Sequence, residues 1–248
     1  MYYGENQNGV QAGVSYPPIW ASQEELDRAT SSCLTKVFLR MFAALLVSAA
    51  ASLAVVASDA LQQFIFDNAF VYLGLIIAEL VLVITVAAGI NRLSATAANV
   101  LFFIYAIVNG LTLSFIFFVY DIGVIYQAFA VSALMFAGMA LYGTITRRNL
   151  ASIGSLCIMG LFGIIIASVV NLFLRSDALD FVICYAGVLI FVGLTAYDTQ
   201  RIKRMLFSAN AASHTEAIKK ISVTGALTLY LDFINIFLKI LRILNRRK

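Results

Sequence analysis

The chain is 248 residues long, 62% hydrophobic and only 12% charged, with a mean hydropathy of +0.92 and a formal net charge of +4. Soluble domains are roughly 45–50% apolar and about 25% charged, so the polar groups here are too few to cover a water-exposed globule. The positive excess sits in the flanks of apolar runs, which argues against a nucleic-acid-binding surface and for an integral membrane protein.

Residues 1–33 are rich in Gly, Asn, Gln and Ser and hold both prolines, Pro17 and Pro18. No apolar run follows a basic stretch there, so no cleavable leader is expected. The segment reads as a disordered cytoplasmic tail with a short helix capped near Ser22, followed by one membrane domain over 34–248. Long apolar runs then alternate with short polar breaks, giving expected spans at 36–58, 68–90, 98–120, 122–146, 150–174, 179–203 and 223–245. A helix needs about 20 apolar residues to cross roughly 30 Å of hydrocarbon, and each run is long enough. The alternating pattern of membrane strands is missing. The expected fold is therefore all-α, with seven transmembrane helices.

Within these spans, Tyr105, Asn109 and Thr112 share a face of the third helix and read as interhelical hydrogen-bonding groups. The glycines of GSLCIMGLFG (154–163) read as close-packing positions. Cys33, Cys157 and Cys184 have no CxxC spacing, which argues against a zinc site or a disulfide framework. The only histidine, His214, falls in a polar linker. No cofactor is expected.

Orientation follows from Lys and Arg beside the spans. Arg28, Lys36, Arg40, Arg92, Arg147, Arg148, Arg201, Lys203, Arg204, Lys219 and Lys220 fall on one side. The other carries Asp59, Asp67, Asp121, Asp177 and Asp180, with Arg175 alone positive. The N-terminus is expected in the cytoplasm of a bacterial inner-membrane, multi-pass protein. Seven crossings put the basic end Arg246-Arg247-Lys248 outside, against the local charge rule. Full crossing of the last helix is the expectation, and re-entry with return to the cytoplasm is the alternative.

The last span, LTLYLDFINIFLKILRILNRRK, carries the main anomaly. Thr228, Asp232, Asn235, Lys239, Arg242 and Arg246 recur at spacings of 4, 3, 4, 3 and 4, so one face is polar for most of its length. A mid-helix charge costs about 2.5–3.5 kcal/mol on insertion scales, so this face must look at protein or water. An interfacial amphipathic helix is the plainer reading, but the run 221–238 holds a single charge. A helix sheathed by the others, its stripe lining a wet path, fits better.

Two further acids lie in apolar runs. Asp198, in GLTAYDTQRIKR, has Arg201 three residues on, an arrangement that by itself contributes little. Glu79 stands deep in the second span without a charged sequence neighbour. If Asp198 and Asp232 meet, they share a proton and titrate as one unit, because two carboxylates in a low-dielectric site ionise together only at high cost. Ionised, they offer hard oxygen ligands suited to transient Ca²⁺. Their meeting requires the last helix to start its crossing near Thr224.

GLTAYDTQ at 193–200, LYLDFINIFLKILR at 229–242 and NGLTLSF at 109–115, in a seven-span pattern over roughly 35–245, resemble the Bax inhibitor-1 (transmembrane Bax inhibitor motif, or LifeGuard) family. The resemblance implies two three-helix layers around a central C-terminal helix. It also implies a passive, pH-sensitive calcium leak governed by a hydrogen-bonded aspartate pair, here Asp198 and Asp232. Family members carry an arginine near the end of span two that latches the pair; Arg92 is the nearest residue, though it does not align cleanly with that position. Glu79, Asn235, Lys239 and Arg242 are the further candidates for the ion path. The loop 201–222 reads as longer than in compact bacterial relatives.

The leading functional expectation is thus a cation leak, with Ca²⁺ as the ion and the bilayer as the surroundings. The alternative is a non-conducting interaction protein that modulates a membrane-bound quality-control protease or a stress response, with residues 1–33 as the contact. No enzyme is expected. Intramembrane aspartyl proteases carry GxGD at the second aspartate where this chain reads LYLD, and a retinal pocket around Lys239 lacks its aromatics, Trp20 being the sole tryptophan.

Overall fold

A computed structural model describes residues 23–245. Residues 1–22 of the expected tail, with the Ser22 cap, lie outside the described residues, as do Arg246–Lys248. The helices in chain order are α1 (Gln23–Val56), α2 (Asp59–Phe66), α3 (Ala69–Gly89), α4 (Ala95–Leu113), α5 (Ile116–Val119), α6 (Ile122–Ile145), α7 (Ala151–Leu174), α8 (Asp177–Ala211) and α9 (Thr215–Asn245). Seven segments are long and apolar enough to cross a membrane, α4 and α5 counting as one. The chain is an all-α membrane protein.

Short polar residues punctuate the apolar runs by capping orphan N–H groups. Ser94 Oγ accepts from Ala97 N at 3.1 Å to open α4, Ser176 Oγ from Leu179 N at 3.3 Å to open α8, and Asn68 Oδ1 from Phe70 N at 3.1 Å to open α3. Arg175, with φ of 50°, turns the chain out of α7.

Three boundaries depart from expectation. Helix α1 is described from Gln23 and runs unbroken into the first span, so the helix expected near Ser22 is not a separate short one. A short helix, α2, fills the break after the first span. The stretch 201–222 is not a long loop: α8 runs on to Ala211 and α9 begins at Thr215, leaving three connecting residues. Hydropathy marks where a helix leaves hydrocarbon; Arg, Lys, Met and Ala continue it into water because all are strong helix formers.

Helix α9 is the most enclosed. Of its most apolar 18-residue window, 61% is buried, against 6% for α3 and 11% for α7. It packs on α8, α6, α1 and α4, while α3 packs chiefly on α4 and α7 on α8. This is a central helix with four principal neighbours and two outer helices, and the contacts do not by themselves divide the six into two layers of three. Helix α9 shows no break, so re-entry and return has no turn to use among the described residues.

Small residues set the closest approaches. A Cβ on Gly143 of α6 would run into the Ala196 carbonyl of α8, and one on Gly154 of α7 into the Tyr197 ring. Of the other two glycines in that α7 stretch, Gly160 abuts Ile190, whereas Gly163 faces open space.

Candidate functional site

The motif GLTAYDTQ organises one stretch of α8. Gly193 receives Cys157 of α7, Ala196 and Tyr197 receive the two glycines just described, and Gln200 staples the α6–α7 turn. Gln200 Oε1 accepts from Leu150 N at 3.0 Å, and its Nε2 donates to Arg148 O at 2.8 Å. The helix so fixed from several sides presents Asp198 to α9.

Asp198 is 9% exposed and Asp232 on α9 is 4% exposed. The charge of Asp198 acts on Asp232, so the two acids are electrostatic neighbours inside the bundle. Helices α8 and α9 form an antiparallel hairpin with its tip at 212–214; both acids lie well below that tip, which is how they reach similar depth. Asp198 lines a cavity of about 310 Å³ together with Ala87, Arg201, Ile202, Thr224 and Thr228; Asp232 is buried and does not line it, though its neighbour Leu231 does. Thr224 thus lines the same cavity as Asp198.

No hydrogen bond joins the two carboxyls among the described residues, and Asp232 Oδ2 is buried without a partner. Thr199 Oγ1, on the residue after Asp198, is likewise buried and unpartnered. A buried carboxylate oxygen left unmet is costly.

The arginine acting on Asp198 is Arg201, one turn along the same helix, without an ion pair within 4 Å among the described residues. Arg92 is exposed beyond the end of α3, and no ion pair joins it to Asp198 or Asp232 among the described residues. Asn235 donates to the Leu231 carbonyl of its own helix at 2.8 Å. Arg242 pairs with Asp180 at 3.0 Å, and the Lys239 stem packs on Gly187; both sit toward the opposite end of α8 from Asp198. A second cavity, of about 320 Å³, opens there beside Asn171, Arg175, Asp180 and Arg242. Between the two ends α9 carries Phe233, Ile236 and Phe237, all buried in the apolar core. The stripe of α9 thus carries a polar site toward each end, while Phe233 and Phe237 on the same helix pack on Phe129 and Phe136 of α6.

Glu79 joins a different cluster. It faces Asn109 and Thr112 of α4, and its Oε1 is buried without a hydrogen bond. Next to it, Tyr230 of α9, fully buried, donates its hydroxyl to Asn109 Oδ1 at 2.8 Å and lies 2.7 Å from Ser48 Oγ of α1. Ser48 Oγ also lies 2.7 Å from Ala106 O, an alternative acceptor for its single proton, and Ser52 donates to Gly110 O at 2.6 Å. Sequence reasoning missed Tyr230, Ser48 and Ser52. The alternation of small and polar residues along α1 was the available signal.

Two carboxylates are fewer than the six to eight oxygens Ca²⁺ takes, so Asp198 and Asp232 fit transient contact better than tight storage.

A family model described as "Inhibitor of apoptosis-promoting Bax1" matches residues 30–248. An inner membrane protein of Escherichia coli K12, YbhL, is 45% identical over 215 residues, covering 87% of this chain and 92% of its own length. A Borreliella burgdorferi protein is 42% identical over 87% of this chain and 92% of its own length. A Rickettsia prowazekii protein is 36% identical over 92% of this chain and 95% of its own.

Proposed function

The chain belongs to the Bax inhibitor-1 family, and we propose that it is a pH-sensitive passive cation leak, with Ca²⁺ as the ion, whose gate is the pair Asp198 and Asp232. The observation that carries this reading is Asp232: enclosed by protein, beside a second acid, with one oxygen that no protein group meets. With one shared proton the pair is a single negative charge held in the bundle. Loss of that proton leaves two like charges that repel at close range and favour either separation or a cation between them. Separation moves α9 against α8, on which it packs along its length. Arg201 and the threonines of the adjoining cavity give water a place to reach the acids.

The cavity end carries the basic flank, Arg92, Arg201, Lys219 and Lys220, which the charge rule places in the cytoplasm. The location that suits this orientation is a bacterial inner membrane, where YbhL resides by name. The experiment is Ca²⁺ flux into proteoliposomes across a pH series. Wild type should change its rate with pH, and Asp232→Asn should flatten the profile; an unaltered profile in Asp232→Asn would remove the pair from the gate.

A further inference from the structure

At the end of the bundle where α6 passes into α7, two concavities meet at Thr144. The first, about 440 Å³, is bordered by Arg147, Lys203 and Arg204, with Gln200 and Phe207, and none of its lining residues is acidic. Its cations are held in place: Lys203 Nζ donates to Thr144 O at 2.9 Å, and Arg204 donates to Gln200 Oε1 at 2.7 Å and to Asn149 Oδ1 at 3.1 Å. None of the three has a carboxylate partner within 4 Å among the described residues. An ammonium has three donors and a guanidinium five, so donors remain for a ligand.

The second concavity, about 400 Å³, is an apolar groove between α1 and α6, bordered by Leu34, Phe38, Phe136, Ala137 and Leu141. It starts at Thr144 and follows α6 back to Phe136, about 12 Å at 1.5 Å per residue. That direction runs into the depth of the membrane.

We propose that the two concavities are one site for an anionic glycerophospholipid. The phosphate lies against Arg147, Lys203 and Arg204, and one acyl chain follows the α1–α6 groove. Guanidinium matches phosphate geometry in a bidentate way, and basic pockets between membrane helices suit acidic headgroups. A free phosphate uses the first concavity alone; the continuous apolar groove is what selects a lipid. Leu141 and Ile145, 60% and 67% exposed on the same helix end, put this corner at the acyl–headgroup boundary. The site is independent of any leak through the bundle.

The test is native mass spectrometry of the detergent-solubilised full chain titrated with phosphatidylglycerol, phosphatidylcholine or inorganic phosphate. Phosphatidylglycerol should bind in preference to phosphatidylcholine. Arg147→Gln and Lys203→Gln should each weaken it about fivefold. Ala137→Trp, which fills the groove, should weaken it too. Arg147 and Ala137 are exposed, so these two variants keep the test alive if Lys203→Gln folds poorly. Equal binding of phosphatidylcholine, or indifference to Arg147→Gln, would overturn the site. Tight inorganic phosphate that displaces the lipid, with Ala137→Trp silent, would make it a soluble-anion site and overturn the lipid assignment.

Discussion

Tyr230 and Asp232 stand two residues apart on α9, equally hidden at 0% and 4% exposure, and they meet opposite surroundings. The Tyr230 hydroxyl is met on both sides, by Asn109 and Ser48, in a network that ties α1, α4 and α9 together. The Asp232 carboxyl has an oxygen with no partner and a second acid beside it. A satisfied buried network fixes one arrangement, whereas an unsatisfied one lowers stability and persists where it is used. The first locus ties three helices together, and the second is where the proposed gate lies.

Substitutions sharpen that contrast, and the largest separation should be in flux. Asp232→Asn should abolish the pH response of Ca²⁺ uptake, while Tyr230→Phe should preserve its shape; a flattened profile in Tyr230→Phe would merge the two loci. Stability should divide them the other way. Tyr230→Phe leaves Asn109 and Ser48 short of a partner and should cost about 1–3 kcal/mol in denaturant unfolding. Asp232→Leu replaces an uncompensated buried acid and should be neutral or stabilising by about 1–4 kcal/mol. A strongly destabilised Asp232→Leu would make the carboxyl structural.

A smaller effect is expected at Gln200, which belongs to the positioning side of the contrast. Gln200→Ala removes the staple on Leu150 N and Arg148 O and should cost about 1–2 kcal/mol while leaving a pH response in place. Arg92→Gln should change least, within about 0.5 kcal/mol and with an unaltered flux profile, as befits an exposed charge with no ion-pair partner among the described residues. A lost pH response in Arg92→Gln would assign it a latching role.

The spans were legible because twenty apolar residues in a row have one physical solution in lipid, and Asp232 was legible because a charge inside such a run demands an explanation. The ends of α8 and α9 were not. Residues 201–220 carry no membrane signal, and a helix that continues through water looks in sequence like a polar loop. The Tyr230 network was hidden for another reason: Ser48 lies 182 residues from it in the chain, so only the packing of α1 on α9 creates the contact. Arg92 became a candidate through its place near the end of a span, and the structure leaves it exposed beyond the end of α3.

The central claim is that Asp198 and Asp232 act as one titrating unit that gates cation flux. A double-mutant cycle tests it most directly, with Ca²⁺ flux against pH measured for wild type, Asp198→Asn, Asp232→Asn and the double variant in the same liposomes. The account predicts that either single substitution abolishes the pH response and that the double adds nothing further. Two separate, additive displacements of the profile would contradict it.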